Sequence, residues 1–172
     1  MSRLKRAFAT INNIGGGYYQ TGHRPSKLFR QHDPKILVTG AFGQIGTELI
    51  PALRDKYGTD NVIASDVKAP RGNQNTDDGP FVYLDVCDYN GMARTVCEFS
   101  CDMIFHMGAL LSATGERDPK LAIKINNIGT ENVLECARLN DIRVYIPSSI
   151  AAFGPTTPQD NTPNLTVMRP TT

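Results

Sequence analysis

The stretch Lys35-Ile36-Leu37-Val38-Thr39-Gly40-Ala41-Phe42-Gly43-Gln44-Ile45-Gly46, closing on Asn61-Val62-Ile63-Ala64-Ser65-Asp66, decides how this chain folds. Ile36-Leu37-Val38 is a short apolar run, β-branched at two positions and stopped by Gly40, so it reads as a buried parallel strand. Thr47 to Lys56 follows, with Leu49, Ile50 and Leu53 on one helical face. Gly40 and Gly43 fall at the turn between them, where a bare backbone can approach an anion and a helix N-terminus offers it N–H donors. Gly46 falls where the helix must pack closely on the strand. A second strand, Val62-Ile63-Ala64-Ser65, ends on Asp66, twenty positions past Gly46. An acid there accepts hydrogen bonds from ribose hydroxyls and repels a ribose phosphate. Strand, glycine loop, helix, strand and acid together predict a dinucleotide-binding β-α-β unit that takes NAD and not NADP.

The rest of the chain suits one globular domain: 172 residues, 40% hydrophobic and 20% charged. No stretch approaches the apolar length of a membrane span, so no membrane partner is expected. The near-neutral total of +1 hides two unlike segments. Residues 1–32 hold six of the 18 basic residues (Arg3, Lys5, Arg6, Arg24, Lys27, Arg30) and no acid, leaving 12 basic against 17 acidic residues beyond them. The leader is basic, contains Ser and Thr, and has no long apolar core, which predicts a mitochondrial transit peptide and a matrix location. An acidic body offers no basic patch for nucleic acid. Cys87, Cys97, Cys101 and Cys136 form no C-x-x-C pair, and no second pair completes a metal site around Cys97 and Cys101. Free, mostly buried thiols in a reducing compartment are expected, with no metal.

After the Pro/Gly/Asn/Asp-rich loop Lys68 to Pro80, Phe81-Val82-Tyr83-Leu84 reads as a third strand. Asp85-Val86 follows at its carboxyl end, where an adenine can be read, and Asp88 suits the N-cap of a helix over roughly Asn90 to Phe99. Met103 to His106 is a fourth strand, ending in the small-residue elbow Met107-Gly108-Ala109. Lys120 to Leu139 is the longest helical pattern. Its interior Asn126-Asn127-Ile128-Gly129-Thr130 is poor in helix formers, which implies a packing or hydrogen-bonding task. A fifth strand, Arg143 to Ile146, delivers Ser148 and Ser149 to the same carboxyl edge, where ligands bind in open parallel sheets. Pro155 to Thr172 carries no element of its own.

Five stations resemble the extended short-chain dehydrogenase/reductase family: the Gly40/Gly43/Gly46 loop, Asp66, Asp85-Val86, Asn126-x-x-Gly129-Thr130, and Ser148-Ser149 with Phe153-Gly154. The resemblance spans residues 35–172 and implies a doubly wound parallel-sheet Rossmann domain of the α/β class, here residues 33–154. The segments His106 to Glu116 and Ile146 to Pro158 are similar to L-threonine 3-dehydrogenases of short-chain type, which oxidise the threonine hydroxyl with NAD to 2-amino-3-oxobutanoate and are mitochondrial in animals. Carried over by position, the resemblance implies that Gly40, Phe42, Gly43, Gln44, Ile45 and Gly46 hold the pyrophosphate and Asp66 the adenosine ribose. Asp85 and Val86 would hold the adenine, and Gly108 and Ala109 would wall the nicotinamide half. Ser149 matches the catalytic hydroxyl that orients the reacting oxygen, and Ser112 would contact the substrate carboxylate or ammonium. For both serines the alternative task is a strand-end or turn cap.

One departure qualifies this reading. The family's base is a tyrosine in Tyr-x-x-x-Lys, whose phenol pKa the lysine lowers from about 10 toward neutrality. No such pair occurs here. It is expected beyond the Pro-rich segment 155–172, with the sixth strand and the substrate-covering lobe, so this chain alone should turn over threonine barely or not at all. Relatives commonly dimerise through helices, of which Lys120 to Leu139 would be one. A nucleotide-sugar 4-epimerase of the same fold and a non-catalytic NAD-binding remnant are the competing readings.

Overall fold

The computed structural model describes residues 33–68 and 78–170; the basic leader, with its transit-peptide expectation, lies outside them. Five parallel strands form one sheet: β1 (Ile36–Thr39), β2 (Val62–Asp66), β3 (Phe81–Tyr83), β4 (Met103–His106) and β5 (Arg143–Tyr145), in the order β3-β2-β1-β4-β5. All four residues of β1 are buried, as a central strand requires. Alternate side chains leave it in opposite directions, and each face has its own core. Ile36 and Val38 join Val62 and Ala64 against Ile50 and Leu53 of helix α1 (Gln44–Tyr57). Leu37 joins Ile63 and Ile104 against Met92 and Val96 of α2 (Tyr89–Glu98) and Val133 and Cys136 of α5 (Thr130–Asn140). Helices on both faces of a parallel sheet give the expected doubly wound Rossmann architecture. The register sets Thr39 beside Ser65 on one side and His106 on the other, so the strands finish level and their loops share one edge.

Several elements differ from the sequence reading. Helix α1 starts at Gln44, three residues before Thr47, because the turn is only four residues long, closed by Gly43 N–H donating to the Gly40 carbonyl at 3.1 Å. β3 and β5 each stop one residue short of the apolar run that predicted them. Asp88 does take the N-cap position of α2, yet its side chain caps nothing there; its carboxylate lies 4.0 Å from Arg94. A six-residue helix, α3 (Ser112–Arg117), was not foreseen, being too short and polar to show a period.

The long pattern Lys120 to Leu139 divides into α4 (Pro119–Ile123), a π-helical turn (Lys124–Gly129) and α5. Pro119 at the first helical position and Asp118, whose carboxylate accepts from Leu121 N–H at 3.0 Å, start it. A π turn inserts one residue, commonly at functional sites, and here it falls on Asn126 and Gly129.

The four cysteines are free. Cys101 and Cys136 are buried, and burial pushes both thiols up to about 12. Cys87 and Cys97 are half-buried and also raised by burial, so the expectation of mostly buried thiols holds for two of the four. No helix among the described residues is long and apolar enough to cross a membrane.

Gly129 gives a test of the π turn. In an ordinary helix interior Gly→Ala gains about 1 kcal/mol. Here an added Cβ would meet Val86 Cγ2 at 2.6 Å, and overpacking costs about 1–3 kcal/mol. The clash outweighs the propensity, so Gly129→Ala should lower the urea midpoint; a midpoint at or above wild type would refute the close packing.

Candidate cofactor-binding site

The site grows from the ends of β1 and β4. Gly40 follows Thr39 with φ +67°, a left-handed conformation that a side chain resists, and a Cβ on it would lie 2.6 Å from the Gly108 amide nitrogen. The glycine loop and the Gly108 elbow therefore touch backbone to backbone. Gly46 lies in the first turn of α1, where a Cβ would sit 2.5 Å from both the Gly40 and the Ala41 carbonyl oxygens. It lets the helix pack onto the turn itself, a correction to the expected contact with the strand. Gly43 is the exposed N-cap and, having no side chain, leaves the first-turn amides without a cap. Phe42 is half-buried and packs on the α1-side core, while Gln44 and Ile45 are exposed at the helix start. Bare amides at the positive end of a 14-residue helix can hold a pyrophosphate.

Asp66 sits half-buried at the end of β2. One carboxylate oxygen accepts from Phe42 N–H at 3.0 Å and the other from Lys68 N–H at 3.1 Å. A carboxylate has about four acceptor positions, so two amides fix its orientation and still leave room for ribose hydroxyls. Asp85 is exposed and accepts from Cys87 N–H at 2.8 Å, shaping the turn that carries Val86. Val86 is buried under Gly129, and the Asn132 side-chain amide donates to its carbonyl at 2.9 Å.

On the far side of Gly108, the chain is held by the π turn. Leu110 N–H donates to Asn126 Oδ1 at 2.8 Å and Asn126 Nδ2 donates to the Leu110 carbonyl at 3.0 Å, so one side chain satisfies both main-chain groups. This is the task that the helix-poor Asn126-Asn127-Ile128-Gly129 segment implied. Gly108 is half-buried and Ala109 exposed beside it. Ser112 is the exposed first residue of α3; Leu111 holds the N-cap, so Ser112 does not have the capping task either. Ser149 is exposed and caps a short 3-10 turn (Ile150–Ala152): its oxygen accepts from Ala151 N–H at 3.2 Å, which leaves the hydroxyl proton to donate elsewhere.

The structure thus brings Gly40 against Gly108, Gly108 beside Val86 and Phe42 onto Asp66, while Ser112 and Ser149 stand on exposed segments farther along the chain. Sequence reasoning missed the roles of Thr39 and His106, and placed Thr130 only within the segment given a packing or hydrogen-bonding task. His106 is buried between the two threonine hydroxyls, Nδ1 at 2.7 Å from Thr39 Oγ1 and Nε2 at 3.3 Å from Thr130 Oγ1. The available signal was a polar residue closing an otherwise apolar strand, at Thr39 and again at His106. Burial holds the imidazole below its ordinary pKa of 6.5.

The sequence profile described as the NAD dependent epimerase/dehydratase family matches residues 36–172. This chain belongs to that family. Over 138 residues, 80% of this chain and 43% of the relative, it is 49% identical to an uncharacterized epimerase/dehydratase of Staphylococcus aureus (strain USA300). Among solved structures, L-threonine dehydrogenase from Phytophthora infestans is 53% identical with a TM-score of 0.72, covering 80% of this chain and 43% of that one. L-threonine dehydrogenase from Clostridium difficile is 44% identical with a TM-score of 0.76, covering 82% and 44%. The chain spans less than half the length of these relatives. NAD is the family's cofactor, and the residues here fit it: two glycines whose Cβ positions are filled by backbone, uncapped helix amides, and an oriented acid at the end of β2.

Two outcomes follow. Gly40→Ala forces a strained φ worth about 1–2 kcal/mol and a clash with Gly108, so the NAD dissociation constant measured by calorimetry should rise by roughly tenfold or more. Because folded His106 binds fewer protons than the unfolded ring, stability should be level above the unfolded value of 6.5 and fall as pH drops below it. His106→Gln should flatten that part of the melting-temperature profile; an unchanged slope between wild type and variant would remove His106 as its source.

Proposed function

We propose that these residues are the cofactor-binding portion of an L-threonine 3-dehydrogenase, which oxidises the threonine hydroxyl to 2-amino-3-oxobutanoate with NAD as the hydride acceptor. The observation that carries the reading is identity of 44–53% over four-fifths of the chain to solved L-threonine dehydrogenases. On this reading, the loop and first helical turn from Gly40 to Gly46 hold the pyrophosphate, with Gln44 and Ile45 lending main-chain donors and Phe42, whose N–H is committed to Asp66, tying the loop to the ribose acid. Asp66 accepts from the ribose hydroxyls, Asp85 and Val86 receive the adenine, and Gly108 and Ala109 wall the nicotinamide side. Ser149 donates its free hydroxyl proton to the reacting oxygen, and Ser112 reaches the threonine carboxylate or ammonium.

Proton removal from the threonine hydroxyl needs a base, and no Tyr-x-x-x-Lys is present in these 172 residues. The polypeptide by itself therefore binds NAD without turnover, and the base comes from the relatives' second half. The leader 1–32, with six basic and no acidic residues, directs the protein to the mitochondrial matrix on this reading. On this reading the full-length form is a homodimer and meets small molecules only, not nucleic acid or membrane.

The test has three arms. Calorimetry should show NAD binding and NADP binding weaker by about tenfold or more, reversed in part by Asp66→Ser. Absorbance at 340 nm should show no threonine-dependent NADH formation by the 172-residue polypeptide. The transcript read past codon 172 should encode Tyr-x-x-x-Lys within a few codons, and that longer product should form NADH from threonine and gain no thermal stability from UDP-glucose. Stabilisation by UDP-glucose would replace the dehydrogenase with an epimerase; threonine turnover by the short polypeptide would show that the base lies within it. A fusion of residues 1–32 to a fluorescent reporter that stays in the cytosol would overturn the matrix address.

A further inference from the structure

His106 is more than a satisfied core residue. Three elements meet at its ring, and each carries a wall of the cofactor site. Thr39 is the last residue of β1 and directly precedes Gly40. His106 is the last residue of β4 and lies two before Gly108. Thr130 opens α5 directly after Gly129, the glycine that packs on Val86. A Cβ on Gly108 would lie 3.4 Å from Thr39 Oγ1 and 3.5 Å from Val86 Cγ1, so the threonine hydroxyl is next to the elbow as well as to the ring. With Gly40 and Gly108 already in backbone contact, the spacing of these loops has no slack to absorb a shift of either strand end.

The surroundings are apolar. Leu37 and Ile104, two residues before Thr39 and His106 and on the same face of the sheet, are fully buried. Folding alone would be served by two apolar side chains at positions 39 and 106, since replacing both partners of a buried hydrogen bond by apolar groups is close to neutral. A polar trio instead bears a desolvation cost. What it supplies is direction. A neutral imidazole has one donor and one acceptor nitrogen, so one threonine must donate and the other accept, and the ring has a single orientation between them.

We propose that His106, with Thr39 and Thr130, is a positioning residue for the dinucleotide, fixing the approach of the Gly40 loop to the Gly108 elbow. The proposal rests on the NAD-site reading above and concerns which residues set its geometry.

The discriminating variant is the double change Thr39→Val with His106→Leu, which removes the bond and keeps the site filled. Thr130 is half-buried, and its hydroxyl can turn to a carbonyl of the preceding helical turn. The double variant should melt close to wild type, while its NAD dissociation constant rises by about tenfold as the two loops lose their preorganised spacing. Thr39→Ser, which retains the hydroxyl, should bind NAD within about twofold of wild type, and Thr39→Val alone should not. If the double variant fails to fold, the single pair decides the matter. A folded double variant, or Thr39→Val, that binds NAD as wild type does would reduce the trio to a packing role. Absence of NAD binding by the wild-type chain would instead overturn the cofactor reading itself.

Discussion

The contact between Gly40 and Gly108 is the constraint from which the rest of the site follows. β1 and β4 are neighbours in the sheet, and they end level with each other. The connection after β1 turns toward one face through α1, and the connection after β4 goes on to the helices of the other. Where strand order reverses in this way, the loops part and leave the ligand position of an open parallel sheet. Two side-chain-free residues let the backbones on either side of that point meet at van der Waals distance. Any Cβ at position 40 would have to push apart β1, buried throughout, and β4, buried at Ile104 and His106. The site and the core thus share one geometry.

The segment from Pro119 to Asn140 serves that geometry from outside the sheet. A regular α-helix there would present residues at a fixed angular step. The π turn breaks the step, so that Asn126 meets Leu110, Gly129 meets Val86 and Thr130 meets His106. The ends of β3 and β4 are thus tied to one segment by groups that contribute little to helix formation. Propensity is sacrificed for hydrogen bonds, which also explains why Asn and Gly stand where Ala or Leu would make a better helix.

Much of this was legible in the sequence because it rests on local rules. Ile36-Leu37-Val38 followed by Gly40 can hardly be other than a buried strand and a turn, and Asp66 is placed by the length of one helix and one strand. Other features were not legible because they depend on partners distant in the chain. Asp88 looks like a helix cap by composition, and its carboxylate does lie against Gly91 in the first turn, yet it accepts no capping hydrogen bond there. Gly46 was expected on the strand, but its partners are the carbonyls of Gly40 and Ala41, a consequence of how short the turn is. Thr39 and His106 are 67 positions apart, and nothing local in either tells that they share a hydrogen bond. Asn126 was flagged by its poor propensity, though its partner, Leu110, was not.

The two halves of the chemistry are built differently within this fold. On the proposed reading, most dinucleotide contacts fall at the ends of β1, β2 and β4, where the backbone has strand neighbours on both sides and Asp66 is oriented by two main-chain amides. The two serines assigned to the reaction on that reading belong to the outer segments after β4 and β5. Ser112 and Ser149 are exposed, and each has a large apolar neighbour in solvent, Leu111 at 75% and Ile150 at 89%. Cofactor binding needs a rigid backbone cradle, whereas a hydroxyl that orients a substrate acts only once that substrate is enclosed. The first requirement is met by the central sheet itself. The second falls on surface that the sheet leaves open, so affinity for NAD and the capacity to react are separable properties of this architecture.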